Sequence, residues 1–513
     1  INMPILHVLK LKYILSFLVL FLLIRTVYQV MLLKESVAEY IIDFKNQVRH
    51  QPHVKTIEEA ILGFDGMDHI NLTTSPGIPY VLTRKAPGKK EYISISEQGE
   101  LAYLCPVLRQ EVLTTIDQFG KGYCPPFHMM EVMKDELRPI GKAYGLTPEQ
   151  VESYKEGDFP ISLWPENRPV KTRSITVMPI TYTIIYRMYF ADLFNQLYKK
   201  ADGTHEYCIG INAESPAAYN AYMKANRLND KGYDFDVGNW DGHFSPQLAR
   251  SVCEIVNRIY DDGLENATVR KTLIEGMMFG HIQYKDAIYQ KHWGLVSGFP
   301  GTADFNTVGH MLVALVFWKA SMIHNQKIEL MPLRVKQQHT LDLFYGDDRL
   351  LVVDKDIEQY YSGEVNVDMY NLAGWPITAA DKGDNPTLPK EIKKLQFLKR
   401  TFVPDESNPF YIKWAIEKET INDLCCYLRK TPNERYQFNL NLYQALDFAT
   451  DWGREYFNDF SFRLEKALRR NKRSMPLATY DQLRREKLAR YFGCTGEEVQ
   501  LPILVEHLGI VDH

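Results

Sequence analysis

Two adjacent carboxylates, Asp347 and Asp348, follow a Tyr-Gly pair between two short apolar segments, residues 341–344 and 350–353. Short apolar segments on either side of a Gly-Asp turn predict a β-hairpin. Two acidic side chains at the tip of a hairpin repel each other, and a divalent cation would compensate both charges. The alternative is a plain surface hairpin, because Gly and Asp are ordinary turn residues.

A second pair of carboxylates, Asp236 and Asp241, precedes this hairpin in the chain. Tyr233, Phe235 and Val237 alternate with acidic residues, and this alternation predicts a β-strand. Asp236 is therefore predicted to lie at the end of a strand and Asp241 on the turn that follows. The alternative is a polar strand end with an Asx turn.

A glycine-containing loop begins at Ser297 and Gly298 and leads into an apolar segment. Thr302 is predicted to cap a buried helix, and Asn306 would lie one turn inside it. The alternative is an ordinary capped helix with no role in chemistry.

The elements that must position these residues belong to a chain of 513 residues, long enough for about three domains or one multi-lobed enzyme. Apolar residues make up 45% and charged residues 24%, which excludes a disordered chain, a collagen-like fibre and a multi-span membrane protein. The net charge of −4 excludes a wholly basic surface but leaves room for a local basic channel. Seven cysteines, an odd number without a C-x-x-C pair, predict reduced thiols.

The N-terminus contains a 12-residue apolar run, residues 13–24, that ends at Arg25. A membrane-spanning helix needs about 20 apolar residues, so the run alone is short. Three interpretations of this run remain open. It could form a membrane-associating helix, it could form a buried helix, or it could be an artefact of the boundary chosen for the sequence.

Taken in order, the three segments resemble motifs A, B and C of viral RNA-dependent RNA polymerases. D-x4-D is Asp236 and Asp241, S-G-x3-T-x3-N starts at Ser297, and YGDD is residues 345–348. The flanks add similar segments: 71–80 (motif G), 134–138 and 171–173 (the two ends of motif F), 380–382 (motif D) and 397–400 (motif E). The resemblance covers residues 70 to 400 and is to the picornavirus-like order of positive-strand RNA viruses. The stretch between the two ends of motif F is longer than the family pattern.

The resemblance implies an α+β right-hand polymerase whose small antiparallel palm sheet is backed by helices. The implied lobes are a hydrophobic N-terminal extension (1–50), fingers (51–200), a first palm segment (201–262), a fingers insertion (263–292), a second palm segment (293–400) and a helical thumb (401–513).

The resemblance also implies a site for two Mg²⁺ ions, with Mn²⁺ as an alternative. Asp236 and Asp347 are the expected bridging ligands, Asp348 a supporting ligand, and the carbonyl of Val237 a further donor. Lys382 is implied to protonate the leaving pyrophosphate as a general acid.

Substrate selection is assigned by the same resemblance. The residues implied to read the ribose are Asp241, Ser297, Gly298, Thr302 and Asn306. The residues implied to bind the triphosphate are Arg173, Lys171, Lys134 and Arg138. The basic segments expected to contact RNA are 84–90, 399–400, 465–473 and the helix face of Arg484, Arg485, Lys487 and Arg490.

The implied reaction is template-directed transfer of ribonucleoside monophosphates to an RNA 3′ end during replication of a positive-strand RNA virus genome. The implied partners are template and nascent RNA, ribonucleoside triphosphates, a small protein primer and, through residues 1–35, a membrane. The implied location is the host cytoplasm, at membrane-associated replication complexes. The alternatives are a reverse transcriptase, which Asp241 disfavours because such enzymes place a bulky aromatic there, and a non-catalytic RNA-binding or membrane-tethered scaffold.

Overall fold

The computed structural model describes residues 29–134, 143–144, 146–156, 172–383, 385–426, 428, 431, 433–473 and 476–493. The apolar run at 13–24 lies outside these residues. The chain folds into two compact units. Of the described residues, the first comprises those up to His50, Phe194–Trp240 and those from Ala303 onward, and the second comprises those within 51–193 and 241–302.

Helices and strands alternate irregularly along the described chain. The helices are α1 Gln29–Gln47, α2 Ile57–Leu62, α3 Tyr80–Thr83, α4 Pro106–Gly120, α5 Pro148–Glu156, α6 Ile180–Tyr189, α7 Ala191–Tyr198, α8 Ala217–Leu228, α9 Trp240–His243, α10 Pro246–Tyr260, α11 Leu264–Phe279, α12 Thr302–His324, α13 Leu333–His339, α14 Gly363–Leu372, α15 Lys418–Cys426, α16 Glu434–Ala449, α17 Arg454–Arg470 and α18 Tyr480–Phe492. The strands are β1 Ile93–Ile95, β2 Leu101–Leu104, β3 His128–Met133, β4 Ser174–Val177, β5 Lys231–Val237, β6 His281–Tyr284, β7 Ala287–Gln290, β8 Thr340–Tyr345, β9 Asp348–Val353, β10 Ile377–Ala379, β11 Lys390–Glu391, β12 Gln396–Phe397, β13 Arg400–Pro404 and β14 Ile412–Ile416.

The first unit is built around an antiparallel sheet in the order β10–β5–β9–β8, with β11 paired to the start of β5. The predicted hairpin at 341–354 is present as β8 and β9, and the predicted strand at 233–237 is β5. The small antiparallel sheet expected from the sequence is thereby confirmed.

One face of this sheet is covered by α8, whose small residues Ala218, Ala221 and Ala225 recur at helical spacing. They are fully buried and belong to one apolar cluster with Leu341 and Leu343 of β8. Small side chains allow the helix to pack closely on the strands, so this face is sealed from water.

The opposite face is covered by α12, which is apolar on almost every side and buried along most of its length. A helix that is apolar all round is typical of a protein core or a membrane span. Within the described residues, α12 is the single helix long and apolar enough to cross a membrane, and 83% of its apolar window is buried inside the protein. Its composition is therefore explained by its central position.

Helix α1 packs on the first unit through acidic side chains. Glu35 and Glu39 both form ion pairs with Lys319 of α12, whose side chain has no exposure to solvent. The Tyr40 hydroxyl donates to Glu206 at 2.7 Å. A buried lysine needs paired carboxylates, so α1 forms part of the core of this unit.

The second unit combines helices with a four-stranded sheet in the order β4–β3–β6–β7, in which β3 and β6 are parallel. Helices α4, α6 and α11 pack against one another, and α10 packs on α11. The mixture of helices and largely antiparallel sheets agrees with the predicted α+β class.

The segment 401–513, predicted as a helical thumb, begins with two strands and not with a helix. β13 and β14 extend to Ile416, and the first helix starts only at Lys418. Phe402, Trp414 and Ala415 are buried, and the bulky residues of this hairpin suit a half-buried sheet better than a helix. The prediction of helix from residue 401 is therefore wrong. The helices that follow share a core that includes Ile421, Leu446 and Phe457.

Candidate active site

The hairpin β8–β9 places two carboxylates at its tip. Tyr345 and Asp348 form the last pair of the ladder, so the connecting loop has only two residues, Gly346 and Asp347. Gly346 has a φ of 64°, the left-handed conformation that two-residue hairpin loops require and that glycine adopts without strain. Asp347 is exposed at the tip, and Asp348 is half-buried beside it.

Strand β5 brings a third carboxylate to the same place. The antiparallel register pairs Asp236 directly with Asp348. Burial, reinforced by the charges of Asp347 and Asp236, raises the pKa of Asp348 to about 7. Asp348 therefore binds a proton more readily than an ordinary aspartate does, because its charged form is poorly solvated and lies beside two other carboxylates.

Lys382 forms an ion pair with this cluster. It follows β10, which pairs with β5 so that Thr378 lies opposite Asp236. The Lys382 Nζ lies 2.9 Å from the Asp236 Oδ2, and the lysine side chain is 61% exposed. An amine this accessible can change partners when another cation or an anion arrives.

The donor set suits a hard divalent cation. Three carboxylates from β5 and the hairpin present oxygen atoms on one edge of the sheet, and oxygen is the ligand that Mg²⁺ and Mn²⁺ prefer. Burial and the two neighbouring carboxylates both raise the pKa of Asp348, and a cation bound at this point would favour its charged form.

Residues that the sequence analysis missed hold the tip of the hairpin. The Gly346 amide donates to the Thr307 hydroxyl at 2.8 Å, and the Gly346 carbonyl accepts from the His310 ring at 2.9 Å. His310 also contacts the Tyr370 hydroxyl at 2.6 Å. Both α12 residues lie just beyond Asn306. Their position in the same segment as Asn306 was the only signal that the sequence offered.

A buried ionic network lies on the α12 side of the hairpin. Asp342 of β8 accepts two hydrogen bonds from Arg349 of β9, at 2.7 and 2.9 Å, and pairs with Lys336 at 2.7 Å. Lys336 also pairs with Glu206. Burial alone would raise the pKa of Asp342, but Arg349 and Lys336 hold it below its ordinary value. Two cations balance two carboxylates, so the network fixes the two strands without adding net charge near Asp348.

The second unit contains the loop predicted to read the ribose. The Ser297 hydroxyl accepts from the Thr176 amide at 3.1 Å, and Gly298 forms a bridge to Val177 of β4. A Cβ at Gly298 would lie only 1.8 Å from the Thr176 carbonyl oxygen, so no larger residue fits at this position without moving the backbone. Ser297 and Gly298 are thus fixed by β4.

Thr302 is the first residue of α12. Its hydroxyl donates to the carbonyls of Val296 and Phe299, both at 2.7 Å, and therefore closes the loop that precedes α12. Asn306 lies one turn inside α12, as predicted, and is 5% exposed.

Asp241 lies on the single turn of α9 in the second unit, and its side chain is exposed. Its carbonyl accepts from the Leu295 amide at 2.8 Å, which ties this turn to the segment just before Ser297. The structure thereby brings the backbones around Asp241 and Ser297 together.

The two ends of the predicted triphosphate site also meet in the second unit. β3 and β4 are antiparallel, and the Lys134 amide donates to the Arg173 carbonyl at 2.8 Å. The remaining two residues of the predicted set, Arg138 and Lys171, lie outside the described residues.

Several residues of the predicted basic RNA-binding segments have internal partners instead. Lys487 is 5% exposed and pairs with Asp451 and Asp447. Lys89, also 5% exposed, donates to the carbonyls of Asn71 and Thr74. At these positions the basic side chain serves folding, and the prediction of an RNA contact there is wrong.

The chain is similar to known viral proteins over most of its length. Residues 168–468 match the family model described as viral RNA-dependent RNA polymerase. The chain is 29% identical over 440 residues to the genome polyprotein of Rice tungro spherical virus (strain Vt6), covering 83% of this chain and 12% of that polyprotein. It is 27% identical over 452 residues to the genome polyprotein of human hepatitis A virus genotype IIB (isolate SLF88), covering 85% of this chain and 18% of that polyprotein. The chain thus spans less than a fifth of the length of these relatives.

A solved structure described as a Sicinivirus 3Dpol RNA dependent RNA polymerase is similar to this chain with a TM-score of 0.68 and 21% sequence identity. The similarity covers 89% of this chain and 85% of the solved chain. At this level of identity the likeness demonstrates a common fold, and the fold is the right-hand architecture expected from the sequence.

Proposed function

Because this chain belongs to the viral RNA-dependent RNA polymerase family, we propose that it transfers ribonucleoside monophosphates to an RNA 3′ end by a metal-assisted mechanism directed by an RNA template. The observation that carries this proposal is the register of β5 and β9. It sets Asp236 opposite Asp348 and beside Asp347, so three carboxylates converge on one sheet edge. Phosphodiester synthesis joins two polyanions, and an oxygen-rich site for divalent cations is what that chemistry requires.

The metal ligands are proposed to be Asp236, Asp347 and, in a supporting role, Asp348, with the Val237 carbonyl as a further donor. When bound, Mg²⁺ or Mn²⁺ ions would supply the charge that activates the primer hydroxyl and stabilises the pyrophosphate leaving group. The protein's contribution is to hold the carboxylates close together despite their repulsion, through the short hairpin and its ladder with β5.

Lys382 is proposed to be the general acid. Its ammonium already lies at the carboxylate edge, 2.9 Å from Asp236. A protonated lysine can donate a proton to a pyrophosphate oxygen and lower the charge on the leaving group. Its high exposure leaves it free to move from Asp236 to the phosphate.

Ribose selection is proposed to rest on Asp241, Ser297 and Asn306. Carboxylate, hydroxyl and amide groups can all hydrogen-bond the 2′- and 3′-hydroxyls of a ribonucleotide. A deoxynucleotide would leave these polar groups unpaired, and such a loss discriminates strongly between substrates. Gly298 and Thr302 support the loop. Triphosphate binding is proposed for Arg173 and Lys134, together with Lys171 and Arg138.

The biological setting is inferred from the relatives, which are genome polyproteins of RNA viruses. We infer that this chain is the polymerase segment of such a polyprotein and replicates a positive-strand genome in the host cytoplasm at membrane-associated complexes. A small protein primer and membrane association through residues 1–35 belong to the same proposal.

Primer extension tests the proposed function. Purified protein is given poly(A) template, an oligo(U) primer and UTP with Mg²⁺ or Mn²⁺, and extended RNA is the expected product. Asp347→Ala should abolish extension, whereas Asp356→Ala is a matched control that removes an exposed carboxylate just beyond β9. Failure of the parent to extend the primer with both ions would favour the scaffold alternative. Extension by Asp347→Ala at the parental rate would refute the ligand assignment.

A parallel assay separates the polymerase from a reverse transcriptase. The parent should prefer UTP to dTTP, and Asp241→Asn should weaken this preference while leaving some extension. Preferential use of dTTP by the parent would favour the reverse transcriptase. An unchanged preference in Asp241→Asn would remove Asp241 from the ribose-reading set.

A further inference from the structure

We propose that Thr307 and His310 of α12 are positioning residues that set the location of the Asp347 carboxylate by fixing the two peptide units on either side of Gly346. The inference rests on the proposed function, because it takes Asp347 to be a metal ligand. It adds a role for two residues that no sequence motif singles out.

The first contact fixes the peptide unit between Tyr345 and Gly346. Its amide donates to the Thr307 Oγ1 at 2.8 Å, and the same hydroxyl donates to the Ala303 carbonyl at 2.8 Å. The hydroxyl therefore uses its hydrogen for the helix and a lone pair for the hairpin. Thr307 is fully buried, so water does not compete for either bond.

The second contact fixes the peptide unit that leads into Asp347. The Gly346 carbonyl can only accept, so the His310 Nδ1 at 2.9 Å must carry the hydrogen. The Nε2 is then an acceptor, and the Tyr370 hydroxyl donates to it at 2.6 Å. The tautomer of His310 is thus determined by its two partners.

The imidazole ring itself is held by packing. Its centroid lies 4.8 Å from that of Trp240 and 4.9 Å from that of Phe344. Burial, with a smaller contribution from the Arg349 cation, lowers the pKa of His310 to about 3. The ring is therefore neutral and its orientation is restricted, and both properties suit a residue that positions a neighbouring carbonyl.

The helix spacing explains why both contacts reach the same glycine. Residues three apart lie on one face of a helix, so Thr307 and His310 face the hairpin together. A Cβ at Gly346 would meet no atom within 4 Å, so open space lies beside this glycine. The two hydrogen bonds connect the backbone of Gly346 directly to α12.

The arrangement also places two proposed tasks on adjacent residues. Asn306, a proposed ribose reader, directly precedes Thr307, and its carbonyl accepts from the Trp240 indole at 3.3 Å.

The test combines direct metal binding with kinetics. Thr307→Val keeps the shape but removes the hydroxyl, whereas Thr307→Ser keeps the hydroxyl. Replacing a residue that orients a metal ligand typically costs about 10–100-fold in metal affinity or activity. We expect Thr307→Val to weaken Mn²⁺ binding, followed by electron paramagnetic resonance, by about tenfold, and to lower kcat similarly with little change in the KM for UTP. Thr307→Ser should restore both values.

The matched control is Thr272→Val in α11, which removes another buried threonine hydroxyl, one that donates to the Phe119 carbonyl at 3.1 Å. It should leave Mn²⁺ affinity unchanged. If Thr307→Val does not fold, Tyr370→Phe is tested in its place. This variant removes the hydroxyl that donates to the His310 Nε2, and it should also weaken Mn²⁺ binding. Parental Mn²⁺ affinity in the folded variants, or no Mn²⁺ binding by the parent, would overturn the inference. Primer extension by the parent reports separately on the proposed function.

Discussion

Asp236 and Asp348 form a directly opposed pair across the β5–β9 ladder, and both side chains are acidic. Like charges in this position destabilise a sheet by a few tenths of a kcal/mol to about 1 kcal/mol. The sheet tolerates the pair because both strands are anchored away from it, β8 and β9 by the Asp342–Arg349 bonds and β5 by pairing on both sides. The folded protein therefore maintains an electrostatically unfavourable arrangement at the edge where the metal ions are proposed to bind.

The first prediction follows from this repulsion. Asp348→Asn should increase the free energy of unfolding of the metal-free protein by about 0.5–1 kcal/mol, while lowering the polymerase rate. Urea unfolding in the presence of a chelator measures the first effect and primer extension the second. A matched Asp356→Asn variant, at an exposed position beyond the ladder, should change neither. A less stable Asp348→Asn protein would contradict this account of the strand pair.

The second prediction concerns the general acid. Lys382→Gln should lower kcat by about 100-fold, because loss of a positioned proton donor typically costs 10²–10⁴-fold. The thermal midpoint should hardly change, since exposed ion pairs contribute little to stability. Lys355→Gln is the control, because Lys355 also pairs with an aspartate and is also 61% exposed. Equal rates in the two variants would exclude Lys382 as the acid.

The third prediction concerns the buried lysine of α12. Glu39→Gln removes a main partner of Lys319 and should lower the free energy of unfolding by about 3 kcal/mol. Lys319→Met removes the buried charge itself and should cost less. Urea unfolding compares both with Glu465→Gln, which breaks an exposed pair with Arg469 and should stay within about 0.5 kcal/mol of the parent. The reverse ranking of Glu39→Gln and Lys319→Met would show that α1 is not needed to neutralise Lys319.

The fourth prediction is a pH dependence. The pKa of His310 falls from 6.5 to about 3 on folding, so below pH 6.5 the unfolded chain binds a proton that the native protein does not. Stability is therefore lost as pH falls through 6.5, at up to about 1.4 kcal/mol per pH unit. Between pH 7 and 5.5 the parent should lose about 1 kcal/mol more than His310→Asn in urea unfolding. If an NMR titration of the native protein placed the His310 pKa near 6.5, it would contradict this predicted pH dependence.

The local features of the site could be predicted because they depend on neighbouring residues. The Gly-Asp turn, the alternation before Asp236 and the long apolar helix after Thr302 each leave a pattern within about a dozen residues. The β5–β9 pairing that brings Asp236 to Asp348 could be expected only from the family resemblance, because no local pattern specifies which strands pair.

The supporting contacts could not be predicted, since they join residues that are distant in sequence. Glu206, Lys336 and Arg349 appear in the sequence as ordinary charges, and only the fold reveals that they balance one another. The same limitation explains the errors at Lys89 and Lys487. A basic side chain has the same local sequence pattern whether it faces RNA or a buried carbonyl or carboxylate.

The buried position of α12 has a consequence for biosynthesis. Some of the residues that cover it, including Tyr361 through its bond to the Ala314 carbonyl and Tyr370 through His310, lie later in the chain. At roughly 5–20 residues per second, the ribosome synthesises these later residues several seconds after it has synthesised the helix. During that interval the nascent chain displays a segment with the length and hydropathy of a membrane span. Until β8, β9 and α14 have emerged, this apolar helix lacks part of its cover, and chaperones that bind apolar segments would shield it during that time.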